Sequence, residues 1–376
     1  MMRAAGPKSL LGRHRLLAPS ASVHVSPLCL GGMSIGDKHQ SLFGEFSKDQ
    51  AFELLDYFYD QGGNFIDTAN MYQSGQSEEW IGEWMKKRKN RDEIVIATKY
   101  TMPYTAGYTQ TSNCGGTGSK SMFVNFEASL KKLDTDYVDI YFVHHWDFST
   151  GVAEVMQSLN TLVQQRKVLY LGISDAPAWV VVKCNAYARH HGLSPFSIYQ
   201  GHWSAQIRDF EREIIPMCQD EGMALHPWGV LGRGYFESAK QPREGGRQTA
   251  FMNTGREGQV SAALELVANR HNVPLQSIAL AYVMHKSPYV FPLVGGRKVS
   301  HMKSNIEALG ILLSEEDMSD IDKGYDFDIG FPHNFIGIGA KMVSGPEDIM
   351  TKAMYGHFDH VKKPQPILAY QPSGNE

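Results

Sequence analysis

Eight times along this chain a short apolar run of strand character is followed by a stretch of helical spacing, and no other feature constrains the fold as strongly. The runs are 28–33, the strand to Asp67, 93–99, 137–144, 169–174, 196–200, 223–228 and 289–294. A first helix opens at the capping-box pattern Ser47-Lys48-Asp49-Gln50 and ends at Gly62-Gly63. A second opens at Ser77-Glu78-Glu79 with Trp80, Ile81 and Trp84 on one face, and further helices are expected at about 119–133, 152–165, 178–190, 210–221, 259–270, 275–285 and 299–309. The strand runs are largely apolar on both faces, as a parallel sheet covered on both sides requires. Repeated βα units of this kind predict a (β/α)8 barrel, a TIM barrel, whose usual size is about 250 residues.

The chain has 376 residues, and its surplus lies in a few places. Residues 1–27 read as an extension with a β-hairpin, Arg15-Leu16-Leu17 and Val23-His24-Val25 flanking Ala18-Pro19-Ser20. Residues 28–310 make the barrel, and 311–376 a C-terminal helix and tail, all in one domain. Loops 100–118 and 229–256 follow strands, so they belong to the C-terminal face, where barrels of this type carry their sites. The stretch 325–376 shows little periodicity and either reaches that face or is an ordered appendage.

A formal net charge of −4 gives no polyanion-binding surface, which argues against nucleic acid as a partner. Cys29, Cys114, Cys184 and Cys218 lack the paired spacing of a structural zinc site and read as reduced thiols of a cytoplasmic protein, with no metal. No apolar run approaches the roughly 20 residues that span a bilayer, so no membrane association is expected. Arg3, Lys8, Arg13 and Arg15, with no acid among the first 36 residues, superficially suit a transit peptide, but the hairpin reading accounts for the same stretch.

Three consecutive strands end on groups that handle protons. The second stops at Asp67 and hands on to a polar loop carrying Tyr72, the third ends on Lys99 and the fourth on His144. Singly these read as a turn acid, a loop aromatic, a solvated cation and a boundary histidine; jointly their strand ends converge. A hydride delivered to a carbonyl carbon leaves charge on oxygen, and a positioned acid there is worth about 10²–10⁴-fold. A phenol with an ordinary pKa near 10 is too weak alone, but a neighbouring ammonium lowers it and a carboxylate keeps that ammonium charged. Lys99 and Asp67 suit those tasks for Tyr72, and His144 can orient the carbonyl oxygen. His145 faces away if the strand continues.

No G-x-G-x-x-G motif follows the first strand, and Gly229-Val230-Leu231-Gly232-Arg233-Gly234 has the wrong spacing for one. Gly31-Gly32-Met33 is either a close backbone approach to a ligand or an ordinary turn. Gly295-Gly296-Arg297-Lys298 lies where barrels hold phosphate, so Arg297 either forks onto a phosphate or is a solvated basic turn. Trp228 either stacks on a flat ring or belongs to the core. Met33, Tyr104, Trp146, Trp203 and Phe236 are aromatic or apolar positions of the active face that read as pocket wall, the alternative being core.

With Gly62, Ile66, Asp67, Thr68, Ala69 and Tyr72 in the pattern G-x-x-x-I-D-T-A-x-x-Y, followed by strand-borne Lys99 and His144, the chain resembles the aldo-keto reductases. Ser174-Asp175-Ala176-Pro177-Ala178-Trp179 and the run Phe291 to Lys298 make it most similar to the aryl-alcohol dehydrogenase and norsolorinic acid reductase-like group. The resemblance implies a (β/α)8 barrel and NADPH-dependent interconversion of aryl or hydrophobic carbonyls and alcohols, with Tyr72 as acid and base. It implies that Ser174, Asp175 and Gln200 hold the carboxamide and that Trp228 stacks on the nicotinamide. Gly229, Leu231 and Gly232 would cover the pyrophosphate, with Gly32 and Met33 also near the cofactor, and Gly295, Arg297, His301 and Asn305 would hold the adenine-ribose end. Two positions depart from the family: Asp175 stands where many members have Asn, and Ser304 where a Glu is common. A role in aromatic secondary metabolism follows by the same resemblance; the second reading is an NADPH-binding regulatory protein on the same barrel.

Overall fold

The computed structural model describes residues 5–105, 107–237 and 255–370. It opens with an antiparallel hairpin, Arg15–Ala18 (β1) and Ala21–Val25 (β2). Then follow Cys29–Gly31 (β3), a short helix Gln40–Phe43 (α1), Lys48–Asp60 (α2), Phe65–Asp67 (β4), Gln76–Arg88 (α3), Val95–Tyr100 (β5) and Ser119–Leu133 (α4). The alternation continues with Val138–Val143 (β6), Val152–Gln164 (α5), Val168–Ser174 (β7), Ala178–His190 (α6), Phe196–His202 (β8), Ile214–Glu221 (α7) and Ala224–Trp228 (β9). Two helices, Glu257–His271 (α8) and Leu275–Lys286 (α9), precede Leu293–Val294 (β10), Val299–Glu307 (α10) and Glu315–Asp322 (α11).

Strands β3 to β9 pair in parallel in sequence order, and β10 joins on the far side of β3. Closure comes just before β10, where Leu225 N donates to Tyr289 O at 2.9 Å and Phe291 N donates to Leu225 O at 2.9 Å. The eight parallel strands therefore form the expected (β/α)8 barrel. The strand expected over 289–294 is regular only at its end, because Tyr289 has a φ of 56° and Pro292 has no N–H to donate. The helix expected from 210 begins instead at Ile214, since Pro216 cannot donate to residue 212 and fits only within a helix's first turn.

Alternation along the strands separates two cores. Val95, Ala97, Ile140, Phe142 and Ile198 fill the barrel, while Ile96, Tyr141 and Ile173 pack outward against the helices. Gly172 makes room for the interior Phe142, because a Cβ there would lie 2.4 Å from the ring. The hairpin closes the N-terminal mouth: Leu17, Ala18, Ala21 and Val25 are buried with the interior residues. Its turn is tied down by Ser20 Oγ donating to Gly222 O at 2.6 Å, and Asn64 Nδ2 donates to His24 O at 3.0 Å. Burying Leu17 and Val25 is worth about 1.5–3 kcal/mol each, and the mouth they plug is opposite the site.

The C-terminal tail starts beside the segment after β8. There Arg208 and Arg212 lie 4.6 and 4.7 Å from the Phe327 ring centroid, and Arg212 Nη2 donates to Asp328 O at 2.6 Å. Its far end returns to the hairpin side, where Arg13 sits 3.5 Å from the Tyr370 centroid. Loop 229–256 is described only to 237 and from 255.

Candidate active site

The geometry begins at the end of β4. Thr68 N donates to Ala97 O at 2.8 Å and Asn70 N to Lys99 O at 3.1 Å, so the chain stays beside β5 for three residues past the strand. Gly32 N donates to Asp67 O at 2.7 Å on the other side. A Cβ at Gly32 would lie 2.9 Å from both Asp67 O and Ser77 Oγ, so this glycine serves a close approach between the chain's own segments.

Behind the Tyr72 loop lies a buried ion pair that sequence reasoning did not find. Glu78 at the start of α3 and Lys132 on α4 meet at 2.5 Å, their side chains 0 and 7 % exposed. Lys132 Nζ also donates to Asn70 O at 2.8 Å, and Thr98 Oγ1 donates to Glu78 Oε1 at 2.5 Å. Gly82 permits this by letting α3 approach α4, since a Cβ there would be 2.6 Å from Lys132 O. The network joins the strand that carries Lys99 to the loop that carries Tyr72. After Tyr72, Gln73 and Ser74 take φ values of 53° and 57°, which turn the chain sharply into α3.

Lys99, Asp67, Tyr72 and His144 come together at the C-terminal mouth. Lys99 Nζ donates to Asp67 Oδ2 at 2.5 Å and to Thr68 O at 2.8 Å, and it lies 3.5 Å from Tyr72 Oη. The Lys99 and Asp67 side chains are 0 and 1 % exposed. Burial pulls Lys99 down, but Asp67 and Tyr72 together outweigh it and hold the ammonium above its ordinary value. For Tyr72 the balance goes the other way from the sequence expectation. Burial raises the phenol and exceeds the lowering pull of Lys99, so the side chain is a protonated donor. The His144 ring lies edge-on to Tyr72, with centroids 5.8 Å apart. Burial, then Lys99, then His145 push His144 well below its usual value, leaving a neutral imidazole whose Nδ1 is buried without a protein partner.

Asp67 has further neighbours. Gln200 Nε2 donates to its Oδ1 at 2.9 Å, and the buried His226 places Nε2 3.9 Å from that oxygen. His226 Nδ1 pairs with Phe291 O at 2.6 Å, and burial lowers this histidine to about 4. His226 lies two residues before Trp228 and His202 two after Gln200, so a period-two reading of β8 and β9 would have found both.

The expected cofactor residues line the same mouth along β7, β8 and β9. Ser174 and Gln200 pair in register, and Asp175 N donates to Gln200 O at 3.0 Å. Ser174 Oγ donates to Asp175 Oδ2 at 3.1 Å. Burial nevertheless pushes Asp175 up to about 6, against the lowering pull of Ser174, the nearby Trp228 indole and Lys99. Gly229 and Gly232 have φ values of 76° and 67°, with Leu231 between them in the same turn. Arg297 is exposed and gives Nη1 to Glu45 O at 3.1 Å; Gly295 faces open space, His301 is exposed and Asn305 is buried. Met33 is 41 % exposed, and the Tyr104 ring lies 3.8 Å from Lys132 Nζ. Trp146, Trp203 and Phe236 are placed in the hydrophobic core; Trp203, fully buried and parallel to Phe210 at 5.6 Å, offers no surface to a ligand in this arrangement.

A family model described as the aldo/keto reductase family matches residues 27–326, from the end of the hairpin to the start of the tail. The chain belongs to the aldo/keto reductase family. It is therefore an oxidoreductase. An aryl-alcohol dehydrogenase of Pestalotiopsis microspora is 62 % identical over 367 residues, 97 % of this chain and 95 % of that one. Norsolorinic acid reductase A of Aspergillus parasiticus is 53 % identical over 98 % of this chain and 96 % of its own length. The aryl-alcohol dehydrogenase [NADP(+)] of Phanerodontia chrysosporium is 48 % identical over 95 % of each chain. Among the described residues of this aldo/keto reductase, no helix is long and apolar enough to cross a membrane.

Proposed function

We propose that the protein interconverts an aryl or other hydrophobic aldehyde or ketone and its alcohol with NADPH and NADP+, in aromatic secondary metabolism. The observation that carries this reading is the buried Lys99–Asp67 pair set beside Tyr72 and His144 at one barrel mouth. The names of the Pestalotiopsis, Aspergillus and Phanerodontia relatives support the substrate class, and the last supports NADP. When bound, NADPH supplies the hydride. Tyr72 gives its proton to the carbonyl oxygen in reduction and recovers it in oxidation. Lys99, kept charged by Asp67, stabilises the phenolate that forms, and the neutral His144 donates to the same oxygen and fixes its approach.

The residues suit the dinucleotide. Ser174, Asp175 and Gln200 present polar groups for the carboxamide, and Trp228 a flat ring for the nicotinamide. The exposed Arg297 suits a 2′-phosphate, with Gly295, His301 and Asn305 around the adenine-ribose end. Met33 and Tyr104 are the half-open positions left for a hydrophobic substrate. The direct test is NADPH oxidation with a panel of aryl aldehydes and quinone-like ketones. Tight cofactor binding with no turnover on any of them would favour a regulatory protein.

Two further results are expected. Arg297→Ala should weaken NADPH binding by about 10- to 100-fold, the worth of a charge-assisted hydrogen-bonding pair, and leave NADH binding nearly unchanged. Equal shifts for both would remove Arg297 from the 2′-phosphate site. The second concerns pH. Asp175 titrates above its ordinary range, so it carries a proton below about 6 and loses it above. Protonated, it can donate to a carboxamide oxygen as Asn does; ionised, it can only accept. NADPH affinity should therefore fall as pH rises through that value, and Asp175→Asn should flatten the dependence. A slope of the same size in the Asn variant would refute the assignment.

A further inference from the structure

His202 is absent from every site expectation above, yet it sits against the residue proposed to carry the nicotinamide. It is the last residue of β8 and pairs in register with Trp228, the last of β9. Its imidazole lies parallel to the indole, with ring centroids 4.1 Å apart and planes inclined by 11°. One face of Trp228 is thereby covered by protein.

Room for this stack has been made in the backbone. Gly229 has a φ of 76°, and a Cβ there would lie 2.7 Å from both Cδ2 and Nε2 of His202. No side chain at 229 could coexist with the imidazole where it stands. The glycine therefore accommodates His202 as well as turning the chain, which the reading of 229–232 as a pyrophosphate cover did not anticipate. Burial, reinforced by Arg233, lowers His202 to about 4, so the stacked ring is neutral at ordinary pH.

We propose that His202 is a positioning residue for the cofactor: it backs one face of the Trp228 indole so that the opposite face is presented to the nicotinamide ring. This rests on the proposed function above, in which Trp228 is the nicotinamide platform. The physical cause is preorganisation. A platform ring free to rotate must be immobilised when the cofactor binds, and a ring already stacked on one face does not lose that freedom. His202 touches neither substrate nor cofactor in this account; it acts through Trp228.

The test is a double-mutant cycle on NADPH affinity, read from quenching of protein fluorescence, with turnover and thermal unfolding measured on the same preparations. An aromatic stack is worth enough that His202→Ala should weaken NADPH binding by roughly 3- to 10-fold. His202→Phe, which restores a flat ring, should recover most of that loss. In a Trp228→Ala background, His202→Ala should have little further effect on affinity, which distinguishes action through the indole from general loosening of the barrel. If His202→Ala weakens binding equally in both backgrounds, or not at all while Trp228→Ala does, the positioning role is wrong and the platform reading stands. If Trp228→Ala leaves NADPH affinity unchanged, both fall together.

Discussion

Tyr72→Phe is expected to lower kcat by about 10²–10⁴-fold, the worth of a positioned general acid, while NADPH still binds. The substitution removes only the hydroxyl. The ring keeps its edge contact with His144 at 5.8 Å and its place 5.0 Å from Lys99 Nζ, so the fold around it should persist. What is lost is the proton donor 3.5 Å from the ammonium. Because burial already raises this phenol, the protonated form dominates before reaction, and Lys99 acts on the phenolate that forms during it. Steady-state kinetics with an accepted aryl aldehyde, paired with a cofactor titration, make the measurement. Wild-type turnover in the Phe variant would end the proposed mechanism, whereas an unfolded variant would be recognised by its failure to bind cofactor.

Lys99→Met should abolish turnover and also destabilise the protein by about 3–5 kcal/mol, the typical effect of removing one partner of a buried ion pair. Asp67 would remain 1 % exposed with only Gln200 Nε2 at 2.9 Å to satisfy it, beside a neutral His226 that offers a lone pair. An unpaired buried carboxylate is the expensive product of that change, so Asp67→Asn combined with Lys99→Met should regain much of the stability and none of the activity. The sign of the pH effect follows from Lys99 titrating above its ordinary value. The pair's contribution is complete below the lysine's ordinary value near 10.5 and is lost as pH rises through the folded value. Urea unfolding of the two single variants and the double variant decides the matter. A loss below 1 kcal/mol for Lys99→Met would contradict the account of Asp67 and Lys99 as a buried charged pair.

Much of the fold was legible because strand and helix periods are local. Largely apolar runs such as 137–144 announced strands covered on both faces, and Ser47 with Gln50 forms the reciprocal capping box that the pattern implied. Boundaries slipped where a single residue overrode the pattern, as Pro216 did for α7 and Pro292 with Tyr289 for β10. In the site, Asp67, Lys99 and His144 were readable as polar residues at the ends of apolar runs. The Glu78–Lys132 pair was not. On sequence its members are an acid in a helix's first turn and a lysine in another's last, which is where solvated charges ordinarily stand.

The βα alternation and the residue types that three strand ends would present were legible in the sequence, since both depend on neighbours a few positions apart; the inward side of each strand was not, because the runs are apolar on both faces. Tertiary structure alone decided which groups touch. Asp67 and Gln200 are 133 positions apart, yet share a hydrogen bond only because the barrel closes. The barrel likewise set Trp228 against His202, enclosed Trp203 in the core and aligned Gly32 with Asp67 rather than with open space. The direction of the Tyr72 shift has the same origin. Opposing charge was visible in the residue types, but the burial that outweighs it is a property of the packed barrel mouth.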